Sequence, residues 1–173
     1  MIAKPLIENT ISYYQDYIGL VFEKDLIEAL ENSRNRTVEF FSAIPESKIN
    51  YSYDIDKWSV KQVFQHILDV ERIFAYRAMR FSRYDATELP GYEDEAYVSN
   101  SNSVKRTLSD MLDEFQALRN ASIYMYKSMS EDMLDFKGTA NSNSCSARIC
   151  GWLSIGHAVH HSNVVEDKYL AIS

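Results

Sequence analysis

Residues 59–81 read SVKQVFQHILDVERIFAYRAMRF, and this stretch decides the fold class. Val60, Val63, Phe64, Ile67, Val70, Phe74 and Ala78 recur at the steps of an α-helix, which makes one side of the cylinder apolar. Ser59 followed by Gln62 has the form of a capping box, so the helix is predicted to begin at Ser59 and to run to about Phe81. Two polar residues interrupt its apolar side. His66 falls on one flank, in a row continued by Val70, Ile73 and Arg77, and Glu71 falls on the other.

The same periodicity extends outward in both directions. Residues 24–44 carry Leu26, Leu30, Thr37, Phe41 and Ile44 at helical spacing, and Pro45 ends that segment. A polar, tyrosine-rich loop, 46–58, joins it to the stretch quoted above. Beyond that stretch, residues 82–102 contain Pro90, Gly91 and a run of acidic and small polar residues. This is the longest irregular segment predicted, and loops of that length often carry function. Ser103 is predicted to cap a third helix with Leu108, Met111, Leu112, Phe115, Ser122, Tyr126 and Met129 on one face, and Arg119 projects almost into the centre of that face. Residues 138–146 read as a polar link. A fourth helix follows from about Ser146 to Leu170, with Ile149, Leu153, Gly156, His157, His160 and Val164 inward and His161 on the flank. There is no internal repeat. The expectation is an all-α, single-domain chain (1–173), a four-helix bundle with a long connection between its second and third helices.

Composition agrees. At 173 residues, with 46% hydrophobic and 25% charged side chains, the chain has the size and balance of one globular domain. Five glycines and three prolines are too few for a many-turned β fold. A net charge of -7, with lysine and arginine scattered, argues against nucleic acid as a partner. No signal peptide and no membrane-spanning apolar run is visible, which points to a cytoplasmic protein without a membrane partner. Cys145 and Cys150 are then expected to be reduced bystander thiols. Tyr13, Tyr14 and Tyr17 are expected to cover the bundle surface.

Chemistry concentrates in the histidines, of which there are four. Neutral imidazole is the commonest protein ligand for zinc-like metals, and i,i+4 spacing aims His157 and His161 the same way. His157 and His160, at i,i+3, converge equally well, so spacing alone leaves the pair open. A further imidazole from His66 on the second helix gives three ligands and an open coordination position, the arrangement that catalytic sites keep. The pattern is no zincin motif, because Ala158 stands where HExxH carries its glutamate. Glu71 and Arg119 either pair across the interior, since a lone buried charge is very costly, or one of them reaches a ligand cavity. Gly156 beside His157 leaves room either for an incoming ligand or for a close neighbouring helix.

Four short motifs then occur in one order: Lys57-Trp58-Ser59-Val60 with His66 and Asp69-Val70-Glu71-Arg72; Leu89-Pro90-Gly91-Tyr92-Glu93 to Tyr97-Val98; Ala117-Leu118-Arg119; and Gly156-His157-Ala158-Val159-His160-His161. Together, over residues 20–170, they resemble the DinB/YfiT-like superfamily of metal-dependent enzymes. The resemblance implies an antiparallel four-helix bundle in which His66, His157 and His161 hold a divalent metal, zinc or nickel. His160 then becomes a neighbour that supports a ligand or touches substrate, as do Glu71, Arg77 and Arg119. It further implies a homodimer acting on a small molecule. The leading activity is S-transfer, joining a low-molecular-weight thiol such as bacillithiol or mycothiol, as co-substrate, to an electrophile. The alternatives are hydrolysis at the same metal and a stress protein that binds metal or a small molecule without turnover. Relatives often carry aspartate after Tyr92, whereas this chain has Glu93.

Overall fold

A computed structural model describes residues 1–6 and 10–171. A short helix, α1 (Ser12–Gly19), precedes the first long one, α2 (Leu26–Ser42). A single turn, α3 (Glu46–Ile49), leads to α4 (Val60–Ser82). The long connection follows, carrying α5 (Asp94–Asn100) and a 3₁₀ turn at Ser103–Lys105. Then come α6 (Leu108–Lys127), the short α7 (Glu131–Asp135), a hairpin of β1 (Gly138–Ala140) and β2 (Asn143–Cys145), and α8 (Ala147–Val165), which ends in a π-helical turn, Glu166–Leu170.

The starts of the long helices are written in their caps. Asp25 accepts from the Ile27 and Glu28 amides, Ser59 and Gln62 close the reciprocal capping box, and Ser146 accepts from Ile149. The third long helix corrects the expected start. Thr107, not Ser103, caps it by accepting from the Asp110 amide, while the Ser103 hydroxyl is spent on Ser101. The polar link at 138–146 is also corrected, to a hairpin. Gly138 pairs with Cys145 and Ala140 with Asn143, and the turn residues Asn141 and Ser142 adopt positive φ of 50° and 60°.

α2 and α4 each pack against both α6 and α8, so they face each other across the bundle diagonal. Side-chain contacts give the directions. Lys61, near the start of α4, reaches the Val104 and Arg106 carbonyls just before α6, and Phe64 meets Phe115, so α4 and α6 run the same way. Lys127 meets Glu31 and Arg34 meets Asn120, so α2 and α6 run oppositely. His66, early in α4, meets His157 and His161, late in α8, so these two are also antiparallel. Two long helices run each way, and the connection after α4 must traverse the bundle to let α6 start beside the start of α4.

The apolar core is divided in two. One cluster joins Leu26 and Leu30 to Phe74, Phe81, Ile123, Tyr126, Cys150 and Leu153. The other joins Phe41 to Phe64, Ile67, Met111, Phe115, Ala158 and Val165. At the changeover on each long helix the buried residues are polar: Ser33 and Thr37 on α2, Glu71 on α4, Arg119 and Ser122 on α6, His157 on α8. A polar belt therefore crosses the bundle at mid-height. Among the described residues, no helix is long and apolar enough to cross a membrane.

Candidate metal centre

One end of the belt carries the histidines. His66 sits in the second turn of α4, and His157 and His161 lie one turn apart on the facing side of α8. Their rings converge, with centroids 4.7 Å (His66–His157), 4.8 Å (His66–His161) and 4.4 Å (His157–His161) apart. The Nε2 atoms of His66 and His157 stand 2.9 Å apart, and one nitrogen from each of the three rings lies within 4.8 Å of the others. Among the described residues no other set of three His, Cys, Asp or Glu side chains converges in this way.

Burial sets the charge state. It pushes His157 well below the ordinary histidine range, and positive charge on His161, His66, His160 and Arg119 would push it further. Burial likewise lowers His161, to about 3, with His66 and His160 acting in the same sense. His66 is lowered by burial too, against the opposing pull of Asp94 and Glu95. Three neutral imidazoles packed together are the donor set a divalent cation of intermediate softness takes, and repulsion forbids their joint protonation. The residues present fit such an ion.

Around the triad lie groups that helical periodicity did not bring forward. Asp94, at the start of α5, places Oδ1 3.6 Å from His66 Nδ1. At that distance it is a charged neighbour rather than a hydrogen-bond partner, and it lies on the Nδ1 side of the ring, away from the Nε2 that meets His157. Trp58 covers His66, with centroids 5.0 Å apart, and its indole N–H donates to Glu95 at 2.9 Å. Tyr17 of α1 stacks on His157 at 5.7 Å and meets His160 edge-on at 5.2 Å. The tyrosine cluster therefore does more than coat a surface. Tyr14 is buried, and Tyr17 walls the site. The sequence did hold a signal for Asp94, in the acidic run after Tyr92.

The remaining candidates divide. Glu71 and Arg119 pair, with Oε2 to Nη2 at 2.9 Å, and the Ser122 hydroxyl donates to the other Glu71 oxygen at 3.0 Å. Glu71 is 3% exposed, and neither residue lines the two cavities described below. Arg119 is 0% exposed, its Nε, Nη1 and Nη2 make no aligned hydrogen bond among the described residues, so its link to Glu71 is an ion pair, and the Phe115 ring lies 5.1 Å away. His160 is partly buried beside Tyr17 and is held below its ordinary range by burial. Arg77 stands apart from the triad. It donates to the Pro90 carbonyl at 3.0 Å and lines a cavity of about 290 Å³ with Tyr13, Tyr14, Tyr92 and Asp94. A smaller cavity of about 180 Å³, lined by Trp58, Glu95 and Tyr53, reaches His161. Gly156 serves the neighbouring helix, since a Cβ there would lie 2.1 Å from the Tyr17 carbonyl oxygen.

Residues 29–165 match the DinB superfamily, most of the chain and all four long helices apart from their outermost residues. The chain belongs to the DinB superfamily. Among solved structures this DinB-superfamily chain is similar to YfiT from Bacillus subtilis, described as a probable metal-dependent hydrolase with an unusual four-helix bundle topology. Identity is 16% over 85% of each chain, with a TM-score of 0.75, a likeness of fold. No curated protein is a significant match by sequence.

Proposed function

We propose that the protein is a metal-dependent hydrolase of small molecules in which His66, His157 and His161 hold a divalent ion, zinc or nickel. One observation carries the reading: three imidazoles, two buried and His161 partly so, converge with no fourth protein donor among the described residues, which is how catalytic sites keep a position for the reacting group. The description of YfiT as a probable metal-dependent hydrolase supports it. An ion held there supplies Lewis-acid activation of a nucleophile near neutral pH. Asp94 stands on the Nδ1 side of His66, away from the Nε2 that faces the site, and the rings of Trp58 and Tyr17 cover His66 and His157 from two sides. His160, neutral and at the rim, is a hydrogen-bonding group for substrate.

A second reading is favoured by the Arg77 cavity. Its cation and tyrosines suit a carboxylate-bearing, low-molecular-weight thiol, and the reaction is then S-transfer to an electrophile. A cytoplasmic homodimer belongs to the same proposal. Untagged protein analysed for metal should carry one ion per chain, and His157→Ala should carry none. Stoichiometric metal in that variant overturns the ligand set. Incubation of the metal-loaded protein with activated esters and amides, and with thiol–electrophile pairs, then separates hydrolysis from thioether formation by product mass.

A further inference from the structure

A second cluster of reactive groups lies away from the triad. β2 ends on Cys145, the first turn of α8 carries Cys150, and the two sulfurs stand 3.4 Å apart as free thiols. Neither touches a histidine. Both thiols are buried, Cys150 at 0% and Cys145 at 2% exposure, but Cys145 lines a cavity of about 470 Å³ with Lys4, Lys137 and Arg148. The two thiols are not equivalent. The hydrogen-bonded contact with Cys150 holds Cys145 below the usual thiol range against its burial, aided by Tyr14 and by the charge of Arg77. Burial pushes Cys150 well above that range. The sulfur that lines the cavity is thus the one whose ionisation is eased, and its neighbour lies in contact behind it. A thiol at a cavity wall with a second thiol in contact behind it is the arrangement of a peroxide-reactive pair, the cavity being the route by which a small hydroperoxide reaches the sulfur.

We propose that Cys145 and Cys150 form a reversible intramolecular disulfide on reaction with a hydroperoxide, a modification site distinct from the histidine centre. The Cys145 thiolate attacks one peroxide oxygen. The O–O bond breaks, the alcohol or water leaves with the proton the thiol gave up, and Cys145 becomes a sulfenic acid. The Cys150 sulfur then displaces the hydroxyl: the S–S bond forms, the S–O bond breaks, and water carries off the Cys150 proton. Two thiols lose two electrons and the peroxide gains them. The sulfurs stand 3.4 Å apart in van der Waals contact, against about 2.05 Å in a disulfide.

The test uses the whole protein with chelator present, treated with hydrogen peroxide, then unfolded and exposed to maleimide. Intact mass should fall by two hydrogens and both maleimide adducts should vanish, returning with dithiothreitol. Trypsin cuts after Lys137, Arg148 and Lys168, so the disulfide should join peptides 138–148 and 149–168 into one mass. In Cys150→Ser, dimedone should label Cys145, and in Cys145→Ser it should leave Cys150 unlabelled. Two retained maleimide adducts in the peroxide-treated protein overturn the proposal whatever the variants do. So does a disulfide between two chains.

Discussion

His157 is inward on α8, stacked by Tyr17, faced by His66 and His161, and buried more completely than its partners. That position decides how the apoprotein answers to acid. Free imidazoles titrate near about 6.5, so as pH falls through that value the unfolded chain takes up protons that folded His157 and His161 refuse. The contribution of these two histidines to stability is therefore full above about pH 6.5 and is lost as pH falls toward about 3, the range to which His161 is lowered. Thermal unfolding in chelator should show Tm dropping across that window, and His161→Gln should flatten the drop; a Tm level from pH 6.5 to 4 contradicts the assignment. Asp94→Asn tests the outer carboxylate. It should weaken metal affinity about 10-fold, the low end for such a partner because Asp94 is half-exposed, as read by competition with a chromogenic chelator. The convergence of His66, His157 and His161 was legible from four motifs, and spacing alone could not choose between His160 and His161. The acidic run after Tyr92 was visible, but the place of Asp94 beside His66 depends on how the long connection folds back, which no helical period encodes.

The long helices follow from apolar residues at steps of three and four, and their starts from hydroxyl or carboxylate caps. The smaller elements escaped for physical reasons. α1 has only eight residues, and Ile11 before it supplies no side-chain cap, so its helicity depends on docking against α8. The hairpin strands are three residues each and mostly small or polar, too short for a period of two to register. Ser103 and Thr107 compete as caps on paper, and Asp110, three residues after Thr107, is the sign that favours the second. Gly156 makes α1's docking testable. Gly156→Ala should raise intrinsic helix propensity yet destabilise the protein by about 1–3 kcal/mol, because the methyl meets backbone of Tyr17 that cannot rotate away. A gain in Tm would mean that α1 does not sit there in solution.

For the whole molecule, the belt at mid-height is the feature that composition could not reveal. Glu71 and Arg119 pair where a uniform bundle would place leucines. Removing one partner strands a buried charge, so Glu71→Ala or Arg119→Ala should each cost about 3–5 kcal/mol in urea unfolding. Glu71→Leu with Arg119→Met should cost much less than the sum of the single changes, and additive losses would refute direct pairing. Such a belt also does what an apolar core cannot do. Leucine packs nearly as well one turn up or down, but a slip of α4 against α6 by one turn, about 5.4 Å, would drive Glu71 into hydrocarbon and leave Arg119 facing only Phe115. The ion pair thus acts as a vernier that fixes the height of one helix against the next. Because His66 rides on α4, the same vernier fixes the level at which His66 meets His157.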